Sequence, residues 1–485
     1  MKLKKVMALV MVGVMAFSFV GCSKDKKEET KTETATTTED TATTDDAAAT
    51  EETETAETET AATGTDFQSL VLGETGKDLN TTIKWLTHRT DLVDNGKLNE
   101  YIAKFNEMYP NIKVEAEGVT NYADDSLLRL SNGDWGDIMM IPAVDKKELQ
   151  NYFVSYGTFD QLDTTYNFIT NWMYENQVYG MPSTANAQGI VYNKKVFEAA
   201  GITTLPKTPD EFIAALQAIK DKTDATPLYT NYAAEWTMGA WDAYIGGSAT
   251  GSADYSNLVL PYQANPFTDR KDATGPYALY KILYDAANKG LIEDDYTTTD
   301  WEGCKGMINK GEIGCMVLGS WAVSQMQQAG DNAADIGYMS FPITVNGKQY
   351  ASAGPDYCYG INVNASDDNK LASELFVKFM VEQSGFAYNE GGIPALRSDT
   401  NLPELYSAFN GIEFVVDTPA EAGKENILSE LNAESELNIN QGGNKKIMEI
   451  VEHGANNDKS FDDIMADWNQ AWTDAQDSVG VEVTK

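Results

Sequence analysis

Cysteine and histidine are nearly absent from this chain, which has four and two of them in 485 residues. Cys304, Cys315 and Cys358 stand singly, and only His88 and His453 are there to complete a ligand set. With no CxxC pair, a zinc site of ordinary spacing is excluded. Their apolar or small-residue surroundings point to buried free thiols, with a Cys304 to Cys315 bridge as the alternative because their segments should be adjacent. Basic residues are also few, 36 Lys and Arg against 74 Asp and Glu, for a formal net charge of −38. Nucleic acid and anionic membrane surfaces need concentrated positive charge, so neither is expected as a partner. The chain carries no GxSxG, HExxH, P-loop or GxGxxG-led unit, so neither catalysis nor a cofactor is expected. Past the N-terminus, no stretch reaches the roughly 20 uninterrupted apolar residues that a membrane-spanning helix needs.

Lys2, Lys4 and Lys5 precede an apolar run from Val6 to Val20, then Gly21 and Cys22. That layout reads as a secretory signal peptide over residues 1–21, and it is too short to span a bilayer. From Ser23 to Thr65 the chain is almost entirely Thr, Glu, Ala, Asp and Lys, without an aromatic or branched aliphatic residue. Such a segment cannot bury enough apolar surface to offset its ordering entropy, so residues 22–65 are expected to form a disordered acidic tether. The tetrapeptide FVGC, Phe19 to Cys22, resembles the lipobox of bacterial lipoproteins, with Phe19 in place of the usual Leu. The resemblance implies that Cys22 is diacylated and becomes a lipid anchor on the extracellular face of the membrane. Two acyl chains suffice for that, at about 0.8 kcal/mol per buried CH₂. The alternative is cleavage elsewhere, with Cys22 incidental.

Residues 66–485 are enough for two or three domains. Short apolar runs at Thr81 to Leu86, Ile112 to Glu117, Asp137 to Ile141, Gly189 to Asn193 and Ile313 to Leu318 alternate with helix-like stretches. Leu98, Tyr101, Ile102, Phe105 and Met108 recur at helical spacing and Pro110 stops the pattern. A second helix is signalled by Thr208 as cap, Pro209 as first residue and Glu211 three beyond the cap. Strands alternating with helices argue for an α/β protein with largely parallel sheets, in which ligands bind beyond the carboxyl ends of the strands.

Four ordered blocks are similar to the extracellular solute-binding proteins of family 1, the sugar-binding group that includes maltose-binding protein. They are the Thr81 to Leu86 strand with Tyr109 to Glu115; Val178 to Ile202 running into Pro206 to Leu216; Trp301 to Ala322; and Gly354 to Ser366 through Gly391 to Asp399. The resemblance implies a periplasmic-binding-protein-like type II fold, in which two α/β lobes are joined by a multi-segment hinge around a ligand cleft. Mapped here, lobe 1 is residues 80–187 plus 352–397 and lobe 2 is residues 188–351 plus 398–485. It also implies a carbohydrate-binding monomer of an ABC importer, delivering a mono- or oligosaccharide to permease subunits in the membrane. A polyol or peptide cargo, or a polysaccharide-binding adhesin, is the alternative.

A sugar offers hydroxyls at its edge and weakly apolar C–H faces, so its site pairs aromatic platforms with carboxylate, amide and Arg groups. His88, Arg89 and Asp91 follow the first strand, and a helix-capping turn is the competing reading. Asp145 follows the third, although Pro142, Ala143 and Val144 replace the polar and aromatic neighbours the family carries. Trp236 and Trp241 are five apart and cannot share one helix face, so one of them belongs to the core, and Trp236 is the better ligand contact. The family sets the tryptophan matching Trp321 against a sugar ring, with Gly319 and Ser320 turning the backbone to expose it. Asp356 and Tyr357 lie where the chain would re-enter lobe 1. Asn186 and Gln188 stand in the first crossing, as hinge or ligand residues.

Overall fold

The computed structural model describes residues 66–120, 122–440 and 444–484. The signal peptide, Cys22 and the tether lie outside the described residues. The strands are β1 Thr81–Thr87, β2 Ile112–Gly118, β3 Ile138–Met140, β4 Gly157–Thr158, β5 Met173–Tyr174, β6 Gln177–Val178 and β7 Met181–Pro182. They continue as β8 Ala185–Asn193, β9 Thr226–Leu228, β10 Ile313–Gly319, β11 Ile336–Ser340, β12 Tyr350–Pro355, β13 Cys358–Ile361 and β14 Glu413–Val415.

One sheet has the order β2-β1-β3-β13-β7. β1, β2 and β3 are parallel, and β13 runs antiparallel to both β3 and β7. In β2 buried Ile112 and Val114 alternate with exposed Lys113 and Glu115, as an edge strand covered on one face requires. The helix Lys97–Met108 buries Leu98, Tyr101 and Phe105 on this sheet, while Ile102 and Met108 are partly covered. Phe67 and Leu70 enter the same core, ahead of the first strand.

The second sheet has the order β14-β12-β8-β10-β9, with β11 also on β8. All seven residues of β10 are buried, because helices cover both faces of a central strand. The helix Pro209–Lys222 starts as its sequence signals, with the Thr208 hydroxyl accepting from the Glu211 N–H at 3.3 Å. The Glu211 carboxylate reaches one residue past the cap and accepts from the Lys207 N–H at 2.7 Å. The helices Gly275–Asn288, Asn444–Asn456 and Phe461–Val479 complete this sheet's larger core.

Three segments pass side by side between the sheets. β7 leads into β8 through Ser183 and Thr184, β12 into β13 through Asp356 and Tyr357, and Ile393 forms paired backbone hydrogen bonds with Ala185. A side chain on Gly392 would collide with the Thr184 hydroxyl and the Ala185 carbonyl, so the close approach of the strands demands glycine there. Cys304, Cys315 and Cys358 are buried free thiols without a bridge. Burial pushes the Cys304 thiol up to about 12 and the other two higher still, so none is a reactive thiolate at neutral pH.

Candidate functional site

The carboxyl ends of β1, β3 and β7 lie at one edge of the first sheet, and Ile141 just past β3 donates to the Cys358 carbonyl. Topology therefore brings His88, Ser183, Asp356 and Tyr357 to one place. The His88 ring lies 4.4 Å from that of Tyr357 at an interplanar angle of 32° and meets Tyr122 edge-on at 5.9 Å. Its Nε2 is 3.9 Å from the Asp356 carboxylate, while its buried Nδ1 has no partner. Burial pulls the His88 pKa below its usual value, and Asp356 opposes part of that shift. The imidazole is thus neutral at pH 7 and able to donate and accept. Ser183 is fixed by donating to the Tyr357 carbonyl at 2.8 Å. His88, Arg89, Ser183, Asp356 and Tyr359, among others, line a shallow recess here.

Arg89 is less free than its sequence position suggests. Its guanidinium makes a forked pair with Asp91 at 2.8 and 2.7 Å and reaches Glu390 at 3.3 Å, and Glu390 also accepts from Tyr101. Arg89 itself occupies the cap position of the turn Thr90–Asp94, without a side-chain cap bond, and Asp91 sits inside that turn. Asp145 caps the turn Lys146–Glu148 by accepting from the Lys147 N–H and pairs with the Lys147 ammonium at 2.8 Å. Its role is local.

On the second sheet β9 and β10 are parallel, so the loops after both emerge at the same edge, as does the start of the helix Trp301–Lys310 that precedes β10. Three tryptophans meet there. Ring centroids of Trp236 and Trp301 are 4.9 Å apart, of Trp236 and Trp321 5.7 Å, and of Trp301 and Trp321 5.8 Å. Trp236 is 41% exposed. The Lys305 ammonium stands 5.0 Å over the Trp301 ring, a cation–π contact that holds the cluster's inner wall. Gly319 serves Trp321 through space rather than through backbone freedom. A Cβ there would lie 2.7 Å from the Trp321 indole nitrogen and 3.2 Å from the Gln188 side-chain oxygen.

Trp241 is 2% exposed and packs edge-on against Phe341 in the core, leaving no face for a ligand. Asn186 is also buried. It pairs with Gly354 across the sheet and accepts from the Ser320 hydroxyl at 3.1 Å, and Ser320 bonds Tyr406 at 2.6 Å. That network belongs to the crossing between sheets, whereas Gln188 is partly exposed beside Trp321. The sequence reading missed Tyr122, Ser183, Glu390 and Trp301. Trp301 opens a block already singled out, but nothing in the chain signals that Glu390 neutralises Arg89 from 301 residues away.

A larger groove of about 340 Å³ lies between Lys84, Glu115, Glu117, Arg129 and Asp134. Its two tryptophans, Trp85 and Trp135, are 2% and 5% exposed, so it presents no ring face on which a sugar could stack.

Known proteins share this layout. A manno-oligosaccharide-specific solute-binding protein, BlMnBP2 of Bifidobacterium animalis subsp. lactis, solved with mannotriose, is 50% identical with a TM-score of 0.83, covering 86% of this chain and 99% of that one. BlMnBP1 of the same organism, the binding protein of an ABC transporter solved with mannobiose, is 51% identical with a TM-score of 0.83, covering 86% of this chain and 100% of that one. The multiple sugar-binding protein of Streptococcus mutans is 26% identical over 67% of this chain and 79% of its own. The fold is therefore the type II periplasmic-binding-protein arrangement. The family profile described as bacterial extracellular solute-binding protein matches residues 90–385, which takes in the two crossings through Ser183 and Asp356 and the tryptophan cluster. With that match spanning more than half of its length, the chain belongs to the bacterial extracellular solute-binding protein family.

Proposed function

We propose that this protein is the carbohydrate-capturing component of an ABC importer and that its cargo is a manno-oligosaccharide. The observation that carries the reading is the 50% identity, across nearly the whole of the relative, to a protein solved with mannotriose. The groove chemistry agrees with it. Aromatic faces at Trp321 and Trp236 suit the C–H faces of pyranose rings, and neutral His88, Asp356, Ser183 and Gln188 suit their hydroxyls. Two or three aromatic contacts at about 0.5–1.5 kcal/mol each and a few hydrogen bonds to charged groups at about 1.5–3 kcal/mol reach the roughly 8 kcal/mol of micromolar binding.

In this reading residues 80–187 with 352–397 and residues 188–351 with 398–485 are two lobes that hinge at the three crossings. The sugar binds mainly to one lobe and stabilises closure because it touches the other only when the groove shuts. The cargo leaves chemically unchanged. Diacylated Cys22 anchors the monomer outside the cell, the acidic tether gives it reach, and the closed form docks on the permease.

The test is calorimetric titration of the tether-free protein with mannobiose, mannotriose, maltotriose, a polyol and a peptide. Micromolar binding of the mannosides with millimolar or weaker binding of the rest is expected. Binding of peptide or polyol with no mannoside response overturns the assignment.

A further inference from the structure

β8 is buried along nearly its whole length, and of its nine residues only Gln188 and Tyr192 are partly open. An amide in the middle of such a strand is expected to bond a neighbour, because polar groups among buried ones are almost always paired. Asn186, two residues earlier on the same face of the strand, does so by accepting from Ser320. Gln188 does not. Among the described residues its side-chain amide has no hydrogen-bond partner, and neither has the indole N–H of Trp321.

These two open groups meet over one glycine. Gly319 pairs with Gln188 across β8 and β10, and a Cβ built on it would lie 3.2 Å from the Gln188 oxygen and 2.7 Å from the Trp321 nitrogen. The amide oxygen and the indole nitrogen are therefore no more than about 6 Å apart. The backbone fixes both. The Ser320 N–H donates to the Ala187 carbonyl at 2.9 Å, the Ala187 N–H donates to the Ser320 hydroxyl at 3.2 Å, and the Tyr338 hydroxyl donates to the same Ala187 carbonyl at 2.7 Å. Gln188 follows Ala187 and Trp321 follows Ser320, so platform and amide are mounted together on a rigid sheet, which preorganises them. The amide offers an acceptor oxygen and two N–H donors without bringing a charge, the complement of a pair of hydroxyls.

Mannose differs from glucose in one hydroxyl, the axial one on C2, which leaves the mean plane of the ring while equatorial hydroxyls stay in it. With a ring stacked on Trp321, an amide beside the nitrogen-bearing edge of the indole is placed to meet a hydroxyl that drops out of that plane. We propose that Gln188 is the specificity-determining residue of the groove, its amide reading the axial hydroxyl of the sugar ring held on Trp321. The inference rests on the carbohydrate reading above and deepens it, since a site built to hydrogen-bond one hydroxyl rejects a ring that does not present it.

Gln188→Met keeps the length of the side chain and removes its polar groups, and Gln188→Leu does the same with a branched one. Both are titrated with β-1,4-mannobiose and with cellobiose, whose rings differ from those of mannobiose only at C2, and the thermal midpoints of the unliganded proteins are measured alongside. Wild type should prefer mannobiose. Losing two hydrogen bonds between neutral groups should weaken mannobiose about five- to a hundredfold and leave cellobiose within twofold, with midpoints that do not fall because the amide has no partner to lose. Equal weakening of the two sugars, no weakening of either, or a wild type that binds both alike overturns the proposal while the carbohydrate reading stands. A midpoint that falls in both variants shows the amide to be structural and overturns it too. A wild-type protein that binds no mannoside removes both readings.

Discussion

Replacing Trp321 by Ala is the sharpest perturbation of the groove. A tryptophan presents roughly 150–250 Å² of surface, and a pyranose resting on one ring face covers about a third of it, or roughly 60 Å². At about 25 cal/mol per Å² that burial is worth about 1.5 kcal/mol, and the aromatic contact itself adds about 0.5–1.5 kcal/mol. The sum of about 2–3 kcal/mol corresponds to a 30- to 150-fold weaker Kd. Trp321→Ala should therefore weaken the best mannoside by at least tenfold in a calorimetric titration, while Trp321→Phe should retain much of the affinity. Because Trp236 and Trp301 pack on the same ring, the unliganded variant's thermal midpoint must be measured as well. An affinity within twofold of wild type, in a variant that remains folded, would remove Trp321 from the binding surface.

Trp241→Ala should behave in the opposite way, destabilising the fold by about 3–5 kcal/mol in urea melts because it hollows a packed core. Any protein that still folds should retain its mannoside affinity to within a few fold, and a selective loss of binding without loss of stability would contradict the core assignment. Gly319→Ala should drive the Trp321 ring from its seat, since the new methyl would lie 2.7 Å from the indole nitrogen; affinity should fall several-fold, and unchanged binding would show that the ring's position does not matter. His88 supplies a pH prediction. Its folded pKa is lowered from 6.5 by burial, so as pH falls below about 6.5 the unfolded chain takes up a proton that the folded one refuses, and stability drops. Wild type should therefore lose more stability than His88→Gln between pH 7.5 and pH 5 in paired urea melts, and equal losses would refute a buried neutral imidazole.

Much of this protein could be read in its sequence because the deciding physics is local. Helical spacing at Leu98, Tyr101 and Phe105, the Thr208 cap with Pro209 behind it, and the uninterrupted apolar run of β10 each fix an element through contacts within a few residues. That one of Trp236 and Trp241 belongs to the core also came from local geometry, since residues five apart cannot share one helix face, whereas which of the two is buried was decided by packing. What the tertiary structure alone decided depends on residues far apart in the chain. Arg89 is engaged by Glu390, so a side chain that looks available is already half satisfied. Asn186 is locked into the crossing by Ser320. Charge pairing and hydrogen-bond satisfaction act over a few ångströms of space, which sequence separation does not measure, and so the groove's edges were foreseeable while the partners of its polar groups were not.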